Sequence, residues 1–535
     1  MTMPAANFGA LRDAHLAERV ALERAENEAS WKLATTGSSE WERKSAECAA
    51  ATKRLLSKRD TFADLVALRA SGGSPAAHER REIEVLYLAH AANQADPPLL
   101  EDLVRRETRA ESIYSSFRPK LGERAVSENE IRAILRDSDD RAERRAAWEA
   151  SKMIGPEVAP LVIEMAKKRN EIARGAGYRD HFAMSLELEE IDEAFLFDTL
   201  GRLEQLTDEP HQALIDELFA RTAARFSIAP DDVRPWDLGD PFFQEAVASD
   251  DVSLASFYRG ADLAALTRES FAACGFDVSP VLDRSDLFPR ENKNQHAFCT
   301  CVDRDTLDVR VLCNVVDDDH WMDTMLHEFG HAVYDQGLDL RLPWLLRDTA
   351  HSLATEAIAL LFGRLASNPD WLVRFVGVDR AEAERARPHL AAQVRAKQLL
   401  FPRWVLVMVF FERALYADPD QDLNTLWWDL VERFQRVTRP EGRDRPDWAC
   451  KIHVALAPVY YQNYLLGDLM ASQLDAHLSS TVSPRWFEDA ATSRVLGDGL
   501  FRQGATRPWN DALRHLTGQP LDPSHYVEQF VTTSA

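Results

Sequence analysis

A chain of 535 residues with 45% apolar side chains can bury roughly three quarters of the surface its unfolded form exposes, so a large core needs no disulfides to sustain it. The formal charge of −24, from 63 Lys and Arg against 87 Asp and Glu, argues against nucleic acid and against an anionic membrane as main partners, because both demand a basic footprint. Six cysteines are few for this length, and the N-terminus MTMPAANFGALRDAHLAERV has no apolar core of a leader, so a cytoplasmic protein with reduced thiols is expected.

In chain order, residues 8 to about 70 place Leu11, Leu16, Val20, Leu22, Leu55, Phe62, Leu65 and Leu68 at helical spacing among Arg, Glu and Ala, with a turn at Thr35-Thr-Gly-Ser-Ser39. The same texture continues from Glu79 to Ala110 and from Glu128 to Arg174, with Ser127-Glu-Asn-Glu130 as a capping box and no strand pattern. Gly175 to His181 interrupts it, and helix resumes from Ile191 to about Phe226. Prolines and glycines then break the pattern up to Val316. Within that part, 296–302 and 307–314 read as a short hairpin joined by Asp303-Arg-Asp-Thr306, a β-ribbon along which an extended peptide could lie. Helices return after it and run to about Arg436. Their most apolar stretch, Trp404 to Phe411, is closed by Arg403 and by Glu412-Arg413, too short to span a bilayer and fit for a buried helix. No linker of Gly/Ser or Pro character separates independent domains. The expectation is a mainly α fold, residues 1–535 forming a single catalytic unit of two interleaved helical lobes around a deep central channel, with active-site segments at about 290–370 and 445–475.

The chemistry centres on Met325-Leu-His-Glu-Phe-Gly-His-Ala-Val333. One helical turn separates His327 from His331, so both imidazoles leave one face and can hold a Zn²⁺, with Glu328 placed to take a proton from water. Gly337 followed by Pro343 stops this helix, and a second is expected from about Asp348, its N-cap, through Leu365. Glu356 is the one acidic residue between Asp348 and Asp370, in a helix otherwise too apolar to be solvated, which makes it the candidate third ligand. His351 points elsewhere on that helix and reads as a neighbour of the site. Cys299-Thr-Cys301 with Cys313 reads as ordinary buried thiols rather than a metal cluster. A second donor for the developing oxyanion is expected from Lys451 to Tyr464, where Tyr461 and Tyr464 share a helical face.

Together with HEFGH and a Glu 25 residues after its second His, the segment Trp427-Trp-Asp-Leu-Val-Glu-Arg-Phe-Gln435, the triplet Lys451-Ile-His453 and the tyrosines that follow resemble the angiotensin-converting enzyme family of zinc peptidyl-dipeptidases. The thimet oligopeptidases and oligoendopeptidases share the HEFGH-type helix and the late His/Tyr segment. The resemblance extends from Glu28-Ala-Ser-Trp31 to the final helices. It implies His327, His331 and Glu356 as ligands of one Zn²⁺ per chain and Glu328 as general base and acid. It further implies His453 and Tyr464 as transition-state donors, Lys451 and Tyr461 as the grip on a substrate's C-terminal carboxylate, and His296 and Ala297 along the primed side of the cleft. Short peptides are the implied partners, and folded proteins are excluded.

The sequence departs from the family at several points. Placing Tyr461 and Tyr464 in these roles takes one extra residue after His453; without it, Tyr460 falls in the carboxylate role and Asn463 in that of the oxyanion Tyr. Leu360 stands where the family has an Asp supporting a zinc His, and Gln462 and Asn463 stand where it has an Arg linked to chloride activation. No amide near Trp236-Asp-Leu238 matches the one that helps hold the substrate carboxylate. Three rival readings follow: an oligoendopeptidase, a catalytically silent peptide binder, and a helical scaffold with a chance motif. Retention of Glu328 beside all three candidate ligands speaks against a silent binder.

Overall fold

The computed structural model describes residues 7–71, 77–245 and 254–532. It is mainly α-helical, and the strands of the described residues form two antiparallel ribbons of two strands each. The chain divides into two compact units, each assembled from three stretches.

The first unit comprises Met1–Gln94, Val252–Pro388 and Leu466–His525. It opens on an antiparallel pair of helices, Phe8–Thr36 and Ser39–Leu56. The expected turn lies between them: Gly37 ends the first helix in the left-handed region at φ 60°, where a side chain would be strained, and Ser38 caps the next by accepting from Glu40 N–H. Trp31, on the first helix, packs on Val302 and Leu312 beneath a hairpin of Phe298–Cys301 and Val309–Leu312, with Phe298 paired to Leu312. Asn27 Nδ2 donates to the Cys301 carbonyl at 3.0 Å and Arg304 pairs with Glu23 at 2.6 Å, so the N-terminal helix braces this ribbon from below. The strands are shorter than the alternation suggested: the turn takes Val302 from the first arm and Asp308 and Leu307, at φ 51°, from the second, and at the far end pairing stops at Phe298 and Leu312.

Two helices form the heart of this unit, Asp319–Gln336 with the HEFGH motif and Ser352–Gly363 with Glu356. Asp318 starts the first by accepting from Trp321 N–H at 2.8 Å, and Gly337 ends it as the sequence indicated. Gly337 has an ordinary right-handed φ; a Cβ there would lie 2.7 Å from the Phe501 side chain, so close packing rather than a left-handed turn calls for glycine. The start of the second helix corrects the expectation at Asp348. That carboxylate is engaged by Arg304 at 2.8 Å and by Thr349 N–H, and the cap is His351, whose Nδ1 accepts from Leu353 N–H at 3.0 Å.

The second unit comprises Ala95–Asp251, His389–Leu465 and Tyr526–Ala535. Its long helices include Gly155–Gly175 and Glu193–Phe226, the latter within two residues of its expected start. The run Trp404 to Phe411 lies in the helix Arg380–Ala417 and is buried almost throughout, packed among aromatic neighbours such as Trp427 and Trp448. Ser127 caps Glu128–Asp137 by accepting from Glu130 N–H at 3.1 Å. One element contradicts the all-helix reading of this stretch: a ribbon of Lys120–Leu121 with Arg124–Ala125, turning at Gly122 with φ 62°. Two-residue strands that are mostly exposed carry no hydrophobic alternation to read.

Candidate metal centre and substrate-binding residues

The metal-ligand geometry begins with the close approach of two helices. A Cβ on Gly330 would sit 2.7 Å from the Ala359 Cα, so only glycine inside HEFGH permits the two backbones to lie this near. That contact brings Glu356 beneath the two imidazoles. His327 Nε2 is 3.6 Å from Glu356 Oε1, and His331 Nε2 is 3.6 Å from Glu356 Oε2. Donors on a tetrahedral zinc at about 2.0–2.1 Å stand about 3.3–3.4 Å from one another, so the three groups are already spaced for one ion. Among the described residues they are the one trio of His, Cys, Asp or Glu gathered this way. With 24, 18 and 31% of their side chains exposed, the three stay within reach of solvent and substrate.

The electrostatics of the trio agree with a cation. Burial lowers His327 to about 4 and, with help from His327, lowers His331 to about 3, so both rings are neutral and ready to donate a lone pair. Glu356 is raised to about 7 by burial and then by the Asp468 carboxylate. A carboxylate facing two neutral imidazoles has no positive partner among them, and a dication would supply it.

His331 Nδ1 lies 2.8 Å from Thr355 Oγ1, which fixes the ring and leaves Nε2 toward Glu356. This is the support that Leu360 could not give, and it comes from the residue immediately before the candidate ligand. Asp468, ion-paired to Arg364, stands behind Glu356, and Gly467 leaves room for the Glu356 side chain, whose Cγ would be 3.4 Å from a Cβ there.

Glu328 is 7% exposed and points from the same helix. Burial raises it to about 8, Glu356 adds to the rise, and a hydrogen bond from the Cys299 N–H opposes it. The ribbon therefore contributes a backbone donor that orients the general-base candidate, a role no side-chain pattern reveals. Cys299, Cys301 and Cys313 are free thiols, Cys313 buried and the other two half-buried, and desolvation pushes Cys301 up to about 12. His296 is exposed and Ala297 half-buried in the segment leading into the ribbon. His351 serves as a helix cap and lies outside the trio of His327, His331 and Glu356.

The second unit gathers the late residues. The buried Arg144 donates to the carbonyls of Trp236, Asp237 and Leu238, and Lys152 Nζ donates to that of Pro241 at 2.8 Å, together fixing a loop whose Asp240 accepts from Gln244 N–H. Gln244 Oε1 then accepts from Lys451 Nζ at 2.9 Å. An amide thus does stand beside Lys451, six residues beyond the stretch where the sequence lacked one, and only the fold of a Pro/Phe-rich loop places it there. Lys451 lies near the rings of Phe242, Trp404 and Tyr461 at 5.3, 5.4 and 5.9 Å, and burial lowers it to about 8. His453 packs on Tyr461 at 4.9 Å between ring centroids, and Tyr461 on Tyr464 at 5.6 Å. Tyr461 is buried while Tyr460 is 39% exposed, so it is Tyr461 that shares the environment of Lys451 and His453. Asn463 is buried.

Known proteins are similar to parts of this chain. Residues 288–531 match the family model described as angiotensin-converting enzyme. The angiotensin-converting enzyme-like protein Ace3 of Mus musculus is 30% identical over 105 residues, 18% of this chain and 14% of that protein. The angiotensin-converting enzyme of Sus scrofa is 24% identical over 210 residues, 36% of this chain and 16% of that protein. The alignments thus span less than a fifth of either relative. The family match encloses the motif helix, Glu356 and the segment from Lys451 to Tyr464; through residues 288–531, somewhat less than half of its length, this chain is similar to the angiotensin-converting enzyme family.

Proposed function

We propose that the chain is a zinc metallopeptidase that hydrolyses short peptides and releases dipeptides from their C-terminal ends. The observation that carries the reading is the spacing of His327, His331 and Glu356 for one ion, with the buried Glu328 beside them. A zinc ion held there would supply Lewis acidity toward the scissile carbonyl and the attacking water. Glu328 takes the proton from that water and returns it to the leaving amine; its raised affinity for a proton suits both halves of the transfer. The Cys299 N–H keeps its carboxylate aimed during the exchange. His453, which burial lowers to about 4, and Tyr464 are assigned to the oxyanion as donors.

The dipeptidase part rests on Lys451, Gln244 and Tyr461. A cation, an amide and a phenol in one apolar setting suit a terminal carboxylate, whose two oxygens accept several charge-assisted hydrogen bonds. His296 and Ala297 are assigned to the primed side of the peptide. No helix of the described residues is long and apolar enough to cross a membrane, and six free cysteines support a reducing compartment such as the cytoplasm.

Mass spectrometry of products from paired peptides, free and C-terminally amidated, tests the reading. Dipeptide release from the free forms, with poor cleavage of the amides, is expected. Equal internal cleavage of both would replace it with an oligoendopeptidase. Binding of about one zinc per chain without hydrolysis would leave a peptide binder.

A further inference from the structure

A buried acid in the second unit, Glu412, has no place in the chemistry described so far. It is 1% exposed and follows the apolar run that ends at Phe411, where an ionisable group is costly unless it is well bonded. Its Oε1 accepts the Val459 N–H at 2.9 Å. Val459 is itself unusual, with φ 55°, the left-handed region that a β-branched side chain strongly disfavours. Gln462 Nε2 donates to the Val459 carbonyl at 2.6 Å, so both backbone polar groups of this one residue, on either side of its Cα, are clamped.

Val459 stands between the short helix Ile452–Leu456, which carries His453, and the helix that begins at Tyr461. The reversal there decides which way the tyrosines face. Upstream, the buried Arg169 donates to the Ala455 carbonyl at 2.6 Å and to Glu107 at 2.8 Å, holding the His453 helix from the same interior. The two sides of the turn are thus tied to helices that take no part in the proposed chemistry. Without the Glu412 bond, the left-handed Val459 would carry its conformational cost with its N–H buried and unbonded, and an extended alternative would swing Tyr461 and Tyr464 away from His453.

We propose that Glu412 is a positioning residue: by accepting the Val459 N–H it holds the left-handed turn that sets Tyr461 and Tyr464 against His453. The proposal rests on the assignment of those residues to the peptide in the preceding subsection. Glu412 touches no reacting atom; it acts through the backbone.

Three variants test it. Glu412→Leu removes the acceptor, and Glu412→Gln keeps an oxygen that can accept. Val459→Gly in the Glu412→Leu background lowers the cost of the turn itself. Expected for Glu412→Leu are a fall in kcat/KM on free-carboxylate peptides of about 10–100-fold, a smaller preference for free over amidated peptides, and faster hydrogen exchange at the amides of residues 460–464. Glu412→Gln is expected within a few-fold of the parent on all three measures, and the added Val459→Gly is expected to restore most of the discrimination and protection. A purely structural role would lower thermal stability while leaving the peptide preference alone, and that result would overturn the proposal. So would parental exchange at 460–464 in Glu412→Leu, or a double variant no better than the single one. If the parent hydrolyses no peptide, the functional reading fails on its own and the exchange measurements decide the positioning role. If Glu412→Leu does not fold, Glu412→Gln and the double variant carry the comparison: parental protection at 460–464 in Glu412→Gln with a folded, protected double variant supports the turn, and loss of protection in Glu412→Gln or a double variant that still fails to fold refutes it.

Discussion

The Thr355 hydroxyl oxygen stands 2.8 Å from Nδ1 of His331. A ring held at one nitrogen presents the other in a fixed direction, and partners of this kind contribute about 10–100-fold to metal affinity in other sites. Thr355→Val keeps the shape and deletes the hydrogen-bonding oxygen. Zinc affinity, read by competition with a chromogenic chelator, is expected to fall about 10–100-fold with the fold intact; unchanged affinity would show that the ring is held by packing alone.

Gly330 is expected to tolerate no side chain. Its added Cβ would meet the backbone of Ala359 at 2.7 Å and the Ile358 carbonyl at 3.1 Å, and backbone cannot step aside as a flexible side chain can. Gly330→Ala should cost about 1–3 kcal/mol of stability and weaken zinc binding, because the separation it forces is the one that sets the distance from Glu356 to the imidazoles. Thermal denaturation with and without zinc measures both effects.

Glu328 and Glu356 should separate cleanly. Glu328→Gln removes the proton acceptor while leaving His327, His331 and Glu356 in place, so hydrolysis should fall by about 10²–10⁴-fold at near-parental zinc content. Glu356→Ala removes one of the three donors, and metal analysis after dialysis should find zinc depleted. Peptidase activity surviving in Glu328→Gln would sink the assigned mechanism.

Acid sensitivity should trace in part to His211. This ring is fully buried in the helix Glu193–Phe226, its nitrogens lack partners among the described residues, and burial with Arg403 and Arg436 lowers its pKa from 6.5 to about 3. The unfolded chain therefore binds a proton that the folded one refuses. The stability linked to this residue is complete above about pH 6.5 and drains away as pH falls toward 3. Over that window the loss is on the order of 3–5 kcal/mol, and His211→Leu should flatten it in urea midpoints measured from pH 7 to pH 4. An equally steep acid limb in the variant would assign the loss to other groups.

What the sequence determined by itself was whatever is carried by short-range spacing and composition. Two histidines one turn apart, a lone acid in an apolar helix and dense helical periodicity are local patterns, and they yielded the helical class and the trio His327, His331 and Glu356. Local spacing could also narrow the tyrosine register to two choices but not select between them, since Tyr460 and Tyr461 differ by a single position. In the fold Tyr461 lies buried beside Lys451 and His453, while Tyr460 is exposed and packs on Tyr464. Gln244, the Cys299 N–H, the Gly330 contact and the Glu412 bond to Val459 were legible only in three dimensions. Each depends on a backbone path or on partners that are distant in sequence: Gln244 and Lys451 are separated by 207 positions, and a peptide N–H is the same in every sequence. The candidate metal ligands were readable because one helix carries two of them at fixed spacing, whereas the groups that orient their side chains are set by tertiary packing.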